Sequence, residues 1–225
     1  MGAGVAEVLT FAIGVAISPV PIIAVILMLF SQRAKVNGPM FLTGWVLALG
    51  VVSAIVYAIS DSSNVDSSSS ASDTVSWLKI VLGVLLLLVA GKQWRSRPAP
   101  GAEPEMPKWM KGIGAFTPAK AFGIGVLLAG LNPKNLLLTI GAATGLAQLG
   151  LSTGDAVGSI VVFVVVCSLT IAGPVVYYLV GGARARTELD AMKGSLSVHN
   201  AAVMTVLFLV FGVDLIAKGL PPLTS

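Results

Sequence analysis

Long apolar stretches alternate with short polar connections along the whole chain. Six stretches approach or exceed the roughly 20 residues that an α-helix needs to cross a bilayer. They cover residues 5–30, 41–59, 75–94, 120–149, 157–181 and 200–217. The pattern predicts an all-α integral membrane protein with six transmembrane helices. The first stretch carries Glu7 where a signal peptide would carry a basic residue, so we expect it to be retained as a span.

A short phrase occurs twice within these stretches. Residues 16–29 read AISPVPIIAVILML and residues 130–143 read GLNPKNLLLTIGAA. An offset of 114 residues pairs Ser18 with Asn132 and Pro19 with Pro133. Proline removes a backbone hydrogen bond from a helix, so both spans are predicted to be broken. Matching breaks in two halves of a chain indicate a transporter's binding site.

Three spans in each half would reverse the direction of the second half across the membrane. We therefore predict two inverted three-helix repeats, with the first and fourth helices broken. The predicted divisions are a first repeat over 1–94, a cytoplasmic loop over 95–119 and a second repeat over 120–225. Within the loop, residues 107–116 combine lysines with apolar and aromatic residues, which predicts an amphipathic segment lying on membrane lipids. The serine-rich residues 67–73 are predicted to form a flexible external spacer.

Charge distribution predicts the orientation. Charged residues make up 11% of the chain and apolar residues 56%, against about 25% charged in an ordinary soluble domain. Basic residues concentrate in connections 31–40, 92–119 and 182–198, while 61–74 and 150–156 are acidic. The positive-inside rule then predicts a multi-pass membrane protein with basic loops in the cytoplasm and both termini outside. The net charge of +4 lies in these connections and does not indicate nucleic-acid binding.

Lys134 is the residue with the most unusual position, near the middle of the fourth stretch. A lysine at the bilayer centre costs about 2.5–3.5 kcal/mol, so it should face protein or water. With its neighbouring amides it could bind an anionic or zwitterionic group, or it could be the partner of a structural carboxylate. The prolines of the first span should leave the carbonyls around Val15 and Ile17 unpaired, although a packing kink alone is an alternative. The predicted substrate-binding residues are Lys134, Asn132, Asn135, Pro133, Ser18, Pro19 and Pro21.

Asp214, in the sixth stretch, is the candidate partner of Lys134 and the candidate coupling residue. Lys218 lies one helical turn further on and competes for it. Gly141 and Gly145 form a GxxxG motif, which predicts close helix packing inside the bundle or in a homodimer. We find no catalytic motif and no metal-ligand spacing, so we expect neither an enzyme nor a cofactor or metal.

Residues 107–138, PKWMKGIGAFTPAKAFGIGVLLAGLNPKNLLL, resemble the signature region of the GAP, or sulfolipid- and glycopeptidolipid-addressing (SfLAP, Sap-like), family. ISPVPIIAVILML is similar to that family's first span. More remotely, SPVP and LNPK resemble motifs of the LysE/RhtB amino-acid exporter superfamily, although Val20 stands where that motif has glycine. The resemblance implies an actinobacterial-type plasma-membrane protein with six spans that moves envelope lipids or polar small molecules outward.

Three functions compete at this point. The first is a secondary transporter that exports an envelope lipid or an anionic or zwitterionic small molecule. The second is a non-transporting scaffold whose partner is a lipid synthase or a larger lipid exporter. The third is an amino-acid exporter of LysE type. A cation in the middle of the membrane favours transport, because a scaffold would not need one.

Overall fold

The computed structural model describes residues 1–65, 69–96, 110 and 112–220, and in this part the chain is helical apart from short connections. The helices are α1 (Gly2–Ala16), α2 (Pro19–Leu29), α3 (Ala34–Val65), α4 (Ser69–Arg95), α5 (Pro118–Val126), α6 (Pro133–Ala147), α7 (Thr153–Gly182) and α8 (Arg184–Gly219). A 3₁₀ turn, Ile113–Ala115, precedes α5. Helix α5 continues into a π-helical turn at Leu127–Leu131.

Four helices are long and apolar enough to cross a membrane on their own, namely α3, α4, α7 and α8. Two further pairs reach that length only together: α1 with α2, bent by 56°, and α5 with α6, bent by 57°. The described chain therefore has four spans, or up to six if each bent pair is one span. The predicted all-helical membrane protein is confirmed, and both predicted breaks are present. The inverted-repeat arrangement stays a prediction.

The last predicted connection, residues 182–198, is wrong as a loop. The chain is helical from Thr153 to Gly219, and its one break is at Gly182, with φ 58° and ψ −136°. Glycine alone adopts this backbone conformation at low cost. The 36 residues of α8 would extend about 54 Å, more than the hydrocarbon thickness of about 30 Å. Its basic first turns are therefore the part that can project beyond the membrane.

The bent pair α1–α2 lies in the centre of the bundle. Ala24, Val25 and Ile26 of α2 are fully buried, whereas α4 and α7 expose large apolar side chains, as a lipid-facing surface does. Phe11 of α1 stacks on Phe211 of α8, with ring centroids 6.2 Å apart. Helix α2 is thus enclosed by its neighbours, whereas Ile13 of α1 and Leu131 at the second break are exposed.

Close helix crossings depend on small residues. A Cβ at Gly44 of α3 would collide with the backbone of Phe122, and one at Gly125 of α5 would collide with the backbone of Phe41. This reciprocal contact lets α3 and α5 approach at backbone distance, as small residues do in membrane bundles. Gly141 and Gly145 face Phe11 and Glu7 of α1 in the same way. The packing role predicted for the GxxxG motif is therefore filled inside the bundle.

Two expectations involve residues outside the described ranges. Of the predicted amphipathic segment 107–116, residues 107–109 and 111 are not described. Of the serine-rich spacer 67–73, residues 67 and 68 are not described, and the helix α4 begins within it at Ser69. The spacer therefore contributes to a helix from Ser69 onward.

Candidate functional site

The break in the first bent pair follows from Pro19. Steric contact with a proline ring moves the preceding residue out of the helical region, and Ser18 is extended, with φ −111° and ψ 97°. The backbone N–H of Ser18 therefore does not donate to the carbonyl of Gly14, four residues earlier. Pro21 has no N–H that could donate to the carbonyl of Ile17. The carbonyls of Gly14 and Ile17 are left for other donors.

The break in the second bent pair has the same cause. Asn132 precedes Pro133 and is extended, with φ −66° and ψ 119°. Its side-chain oxygen accepts a hydrogen bond from the backbone N–H of Lys134 at 3.1 Å, so Asn132 caps α6. The π-helical turn Leu127–Leu131 ends directly before it. Asn132 therefore stabilises the break, and its side-chain oxygen is occupied by a hydrogen bond from the backbone.

The Lys134 ammonium joins the two breaks. Its Nζ donates to the carbonyl of Gly14 at 2.6 Å, to the carbonyl of Ile17 at 3.1 Å and to Ser18 Oγ at 2.6 Å. Lys134 is only 3% exposed, and it forms no ion pair with a described residue. The charge is therefore met by neutral oxygens at the C-terminal end of α1, where the helix dipole favours a cation.

Ser18 and Asn135 complete this arrangement, which we call the break site (Gly14, Ile17, Ser18, Lys134 and Asn135). Ser18 donates to Asn135 Oδ1 at 2.9 Å, and Asn135 Nδ2 donates to the carbonyl of Leu128 at 2.8 Å. Both side chains are buried, at 2% and 0% exposure. The structure therefore brings together Ser18, Lys134 and Asn135, while Pro19, Pro21 and Pro133 form the adjoining helix starts.

The sequence prediction differed from the structure in two details. The free carbonyl used by Lys134 is that of Gly14, not Val15. Thr170 was missed: its hydroxyl donates to the carbonyl of Ala16 at 2.7 Å, and Cys167 Sγ contacts the carbonyl of Ala12 at 3.7 Å. A threonine inside the apolar span 157–181 was the available signal, since a buried hydroxyl needs an acceptor.

Asp214 does not pair with Lys134 in this structure. Its Oδ2 lies 3.4 Å from Lys218 Nζ, and Lys218 also contacts Glu7 at 3.3 Å. The structure has the local pair Asp214–Lys218, the alternative to a pair between Asp214 and Lys134. Lys79, only 6% exposed, donates to Gln148 Oε1. The carboxylates of Glu7 and Asp214 interact electrostatically with its ammonium group.

We call these five residues the Glu7 cluster: Glu7, Lys79, Gln148, Asp214 and Lys218. It has two carboxylates and two ammonium groups drawn from α1, α4 and α8, with an amide just after α6. A Cβ at Gly145 would collide with the Glu7 carboxylate, so that glycine leaves room for it. Glu7 and Lys79 were not predicted as site residues, because each is a single charge near the end of an apolar stretch.

Comparison with known proteins identifies the family. A family model described as Sap, sulfolipid-1-addressing protein (SfLAP) matches residues 8–221, which include both breaks and the Glu7 cluster except Glu7 itself. The chain belongs to this family. No match came from a search of curated proteins or from a search of solved structures. Similarity to the LysE superfamily is not confirmed.

Membership in the SfLAP family and the apolar helices together indicate a multi-pass membrane protein connected with lipid export. At the break site, the described residues present a buried cation that is held only by neutral oxygens.

Proposed function

We propose that the protein is a secondary transporter of the plasma membrane that moves an anionic or zwitterionic envelope lipid, or a small molecule of the same charge, outward. The observation that carries the proposal is the buried Lys134 ammonium, bound by two carbonyls and a hydroxyl where two helices are interrupted. Charges inside a membrane are rare and mark substrate or ion pathways. Interrupted helices form the binding sites of many transporters.

The distribution of contacts supports a transport cycle. Lys134 and Asn135 belong to the second half of the chain, whereas Gly14, Ile17 and Ser18 belong to the first. A movement of one half against the other would therefore break these bonds together and free the ammonium. An anionic headgroup would then replace the carbonyl oxygens around Nζ with a stronger, charge-assisted contact. In the state described here the break site is closed by the protein's own groups.

The starts of α2 and α6 add a second attraction for an anion. Helix N-termini carry partial positive charge. Prolines occupy two of the first three positions of α2, so only Val20 offers a backbone N–H in that turn. The dipoles thus assist Lys134, but the ammonium supplies most of the positive charge.

A scaffold for a lipid synthase or a larger exporter is the second candidate, and one observation favours it. All three ammonium hydrogens of Lys134 are used within the protein, which is also what a purely structural clamp requires. The two functions differ in what the positive charge does. A transporter needs the charge itself, while a scaffold needs only the link between α1 and α6.

The test is lipid transfer in proteoliposomes. We would measure outward movement of fluorescent phosphatidylglycerol and sulfatide, detected by an impermeant quencher, and flux of labelled amino acids. Lys134→Ala should lower transfer of the transported species by roughly tenfold or more, as loss of one charge-assisted contact does. Thr170→Val is the matched control, because it removes a carbonyl partner at the same break and keeps the cation.

Helix content and elution in detergent establish that each variant folds. Transfer that is equal in wild type and Lys134→Ala would remove the central role of the cation. An equal loss in Lys134→Ala and Thr170→Val would indicate a structural clamp. No transfer of any species by the wild-type protein, together with co-purification of a lipid synthase, would favour the scaffold.

A further inference from the structure

A surface cavity with a basic residue in its lining lies at the other end of α2. Phe30, the first residue after α2, and Arg186, Thr187 and Asp190 of α8 line a cavity of about 480 Å³. Ligand pockets commonly measure about 300–1,000 Å³, so the space is sufficient for a lipid headgroup. We call it the Arg186 cavity.

The aromatic ring of Phe30 holds two cations. Arg186 Cζ lies 5.3 Å from the ring centroid, and Lys193 Nζ lies 5.6 Å from it. Such cation–π contacts fix the orientation of a guanidinium group and leave its edge free to bind. Lys193 is neutralised by Asp190, with Nζ and Oδ1 2.6 Å apart.

Arg186 differs from its basic neighbours in having no carboxylate. Arg184 Nε pairs with Glu188 Oε1 at 2.9 Å, and Lys193 pairs with Asp190. Across the residues that the structure describes, no acid pairs with Arg186. The carboxylate that also lines the cavity is already compensated by Lys193. The cavity therefore has one positive charge that no described carboxylate compensates.

The chemistry of the lining selects the ligand class. A planar guanidinium offers parallel N–H donors that match two oxygens of a phosphate or sulfate, and the adjacent Thr187 hydroxyl can donate a further hydrogen bond. We propose that the Arg186 cavity binds a phosphate or sulfate group, and that this group is the headgroup of an anionic lipid. It is a site separate from the break site.

The position of the cavity favours a lipid over a free ion. The 11 residues of α2 extend about 16 Å from the break to Phe30. This is about half of the hydrocarbon thickness, so Phe30 lies near a membrane surface if the break lies near the centre. The positive-inside pattern assigns this surface to the cytoplasm. A headgroup in the cavity can therefore leave its acyl chains in the inner leaflet.

The test is lipid binding to the purified protein in nanodiscs, which needs no transport. We would titrate spin-labelled phosphatidylglycerol into Arg186→Gln and into Arg184→Gln, the matched control that removes an equal charge from the same helix. Arg186→Gln should weaken binding roughly tenfold, as one lost charge-assisted contact does, and Arg184→Gln should change it little. Phe30→Leu should weaken it as well.

Inorganic phosphate and labelled phosphatidylcholine separate the sources. Weak competition by phosphate and no Arg186-dependent binding of phosphatidylcholine would support a lipid headgroup. Full displacement by phosphate at equal concentration would overturn the lipid assignment. Equal effects of Arg186→Gln and Arg184→Gln, or no effect of either, would overturn the site. The loss caused by Arg186→Gln should be as large in a Lys134→Ala background as in the otherwise wild-type protein, so failure of the transport proposal would leave this result intact.

Discussion

At the scale of single residues, the unusual feature is a buried ammonium without a carboxylate. Transfer of a charge out of water is costly unless hydrogen bonds compensate it. Lys134 is compensated by three neutral oxygens, two of them carbonyls released by proline. A carboxylate partner would have bound Lys134 more tightly and held it in place. Under the proposed function, an anionic headgroup would replace these neutral oxygens around the ammonium group.

Asp214 is the residue on which we predict energy coupling to depend. It shares Lys218 with Glu7, so Asp214→Asn removes a carboxylate while Lys218 keeps a partner. We propose that the Asp214 carboxylate couples an ion gradient to transport. Asp214→Asn should therefore abolish the response of lipid transfer to an imposed gradient, with transfer in the absence of a gradient retained. The measurement is transfer in proteoliposomes with the gradient imposed in either direction.

The matched control for this experiment is Asp155→Asn. Asp155 pairs with the N-terminal ammonium group of Met1 at 3.1 Å, so its replacement makes the same change of charge at another ion pair. It should leave the gradient response unchanged. An undiminished response in Asp214→Asn would remove the coupling role. An equal loss in both variants would assign the effect to surface charge.

At the scale of helices, the two breaks could be predicted and the turn at Gly182 could not. A proline acts on its own helix, so Pro19 and Pro133 disclose the breaks without knowledge of the neighbouring chain. Gly182 lies in a basic stretch whose composition is also typical of a loop. A new helix, α8, begins directly after Gly182, and the pair Arg184–Glu188 lies in its first turns. The sequence also indicated Lys134, because a lysine inside an apolar span is visible without knowledge of its neighbours. It did not indicate Gly14 or Thr170, because their roles depend on contacts between different helices.

The turn between α7 and α8 depends on glycine for its backbone alone. Nothing lies within 4 Å of a Cβ built on Gly182, so Gly182→Ala meets no steric obstacle other than its positive φ of 58°. We expect Gly182→Ala to lower the free energy of unfolding by about 1–3 kcal/mol. The measurement is loss of helix content on titration with sodium dodecyl sulfate in mixed micelles.

Gly194→Ala is the control for that prediction. Gly194 lies inside α8 and also has open space around a Cβ. Alanine is a better helix former, so the substitution should raise the free energy of unfolding by up to about 1 kcal/mol. A Gly182→Ala variant as stable as wild type would contradict the left-handed turn. A matching decrease in Gly194→Ala would show that α8 is not helical there.

At the scale of the whole molecule, the contacts at the break site and in the Glu7 cluster both cross from the first half of the chain to the second. Lys134 reaches α1 at one, and Lys218 reaches Glu7 of α1 at the other. These polar bonds cross between the halves in addition to apolar contacts such as the stack of Phe11 on Phe211. A transport cycle in which the halves move against each other depends on the orientation that the charge pattern predicts.

The orientation prediction can be tested by cysteine labelling on intact cells. In a Cys167→Ala background, an impermeant maleimide should label Ser62→Cys and Gly154→Cys, and should label Lys35→Cys and Gly194→Cys only after permeabilisation. Both glycine positions have room for a side chain, and Ser62 and Lys35 are exposed. Labelling of all four positions in the opposite pattern would reverse the orientation and keep the six spans. Lys35 and Gly154 on the same side would rule out the inverted repeat, because each follows one broken span and the two broken spans would then cross the membrane in the same direction.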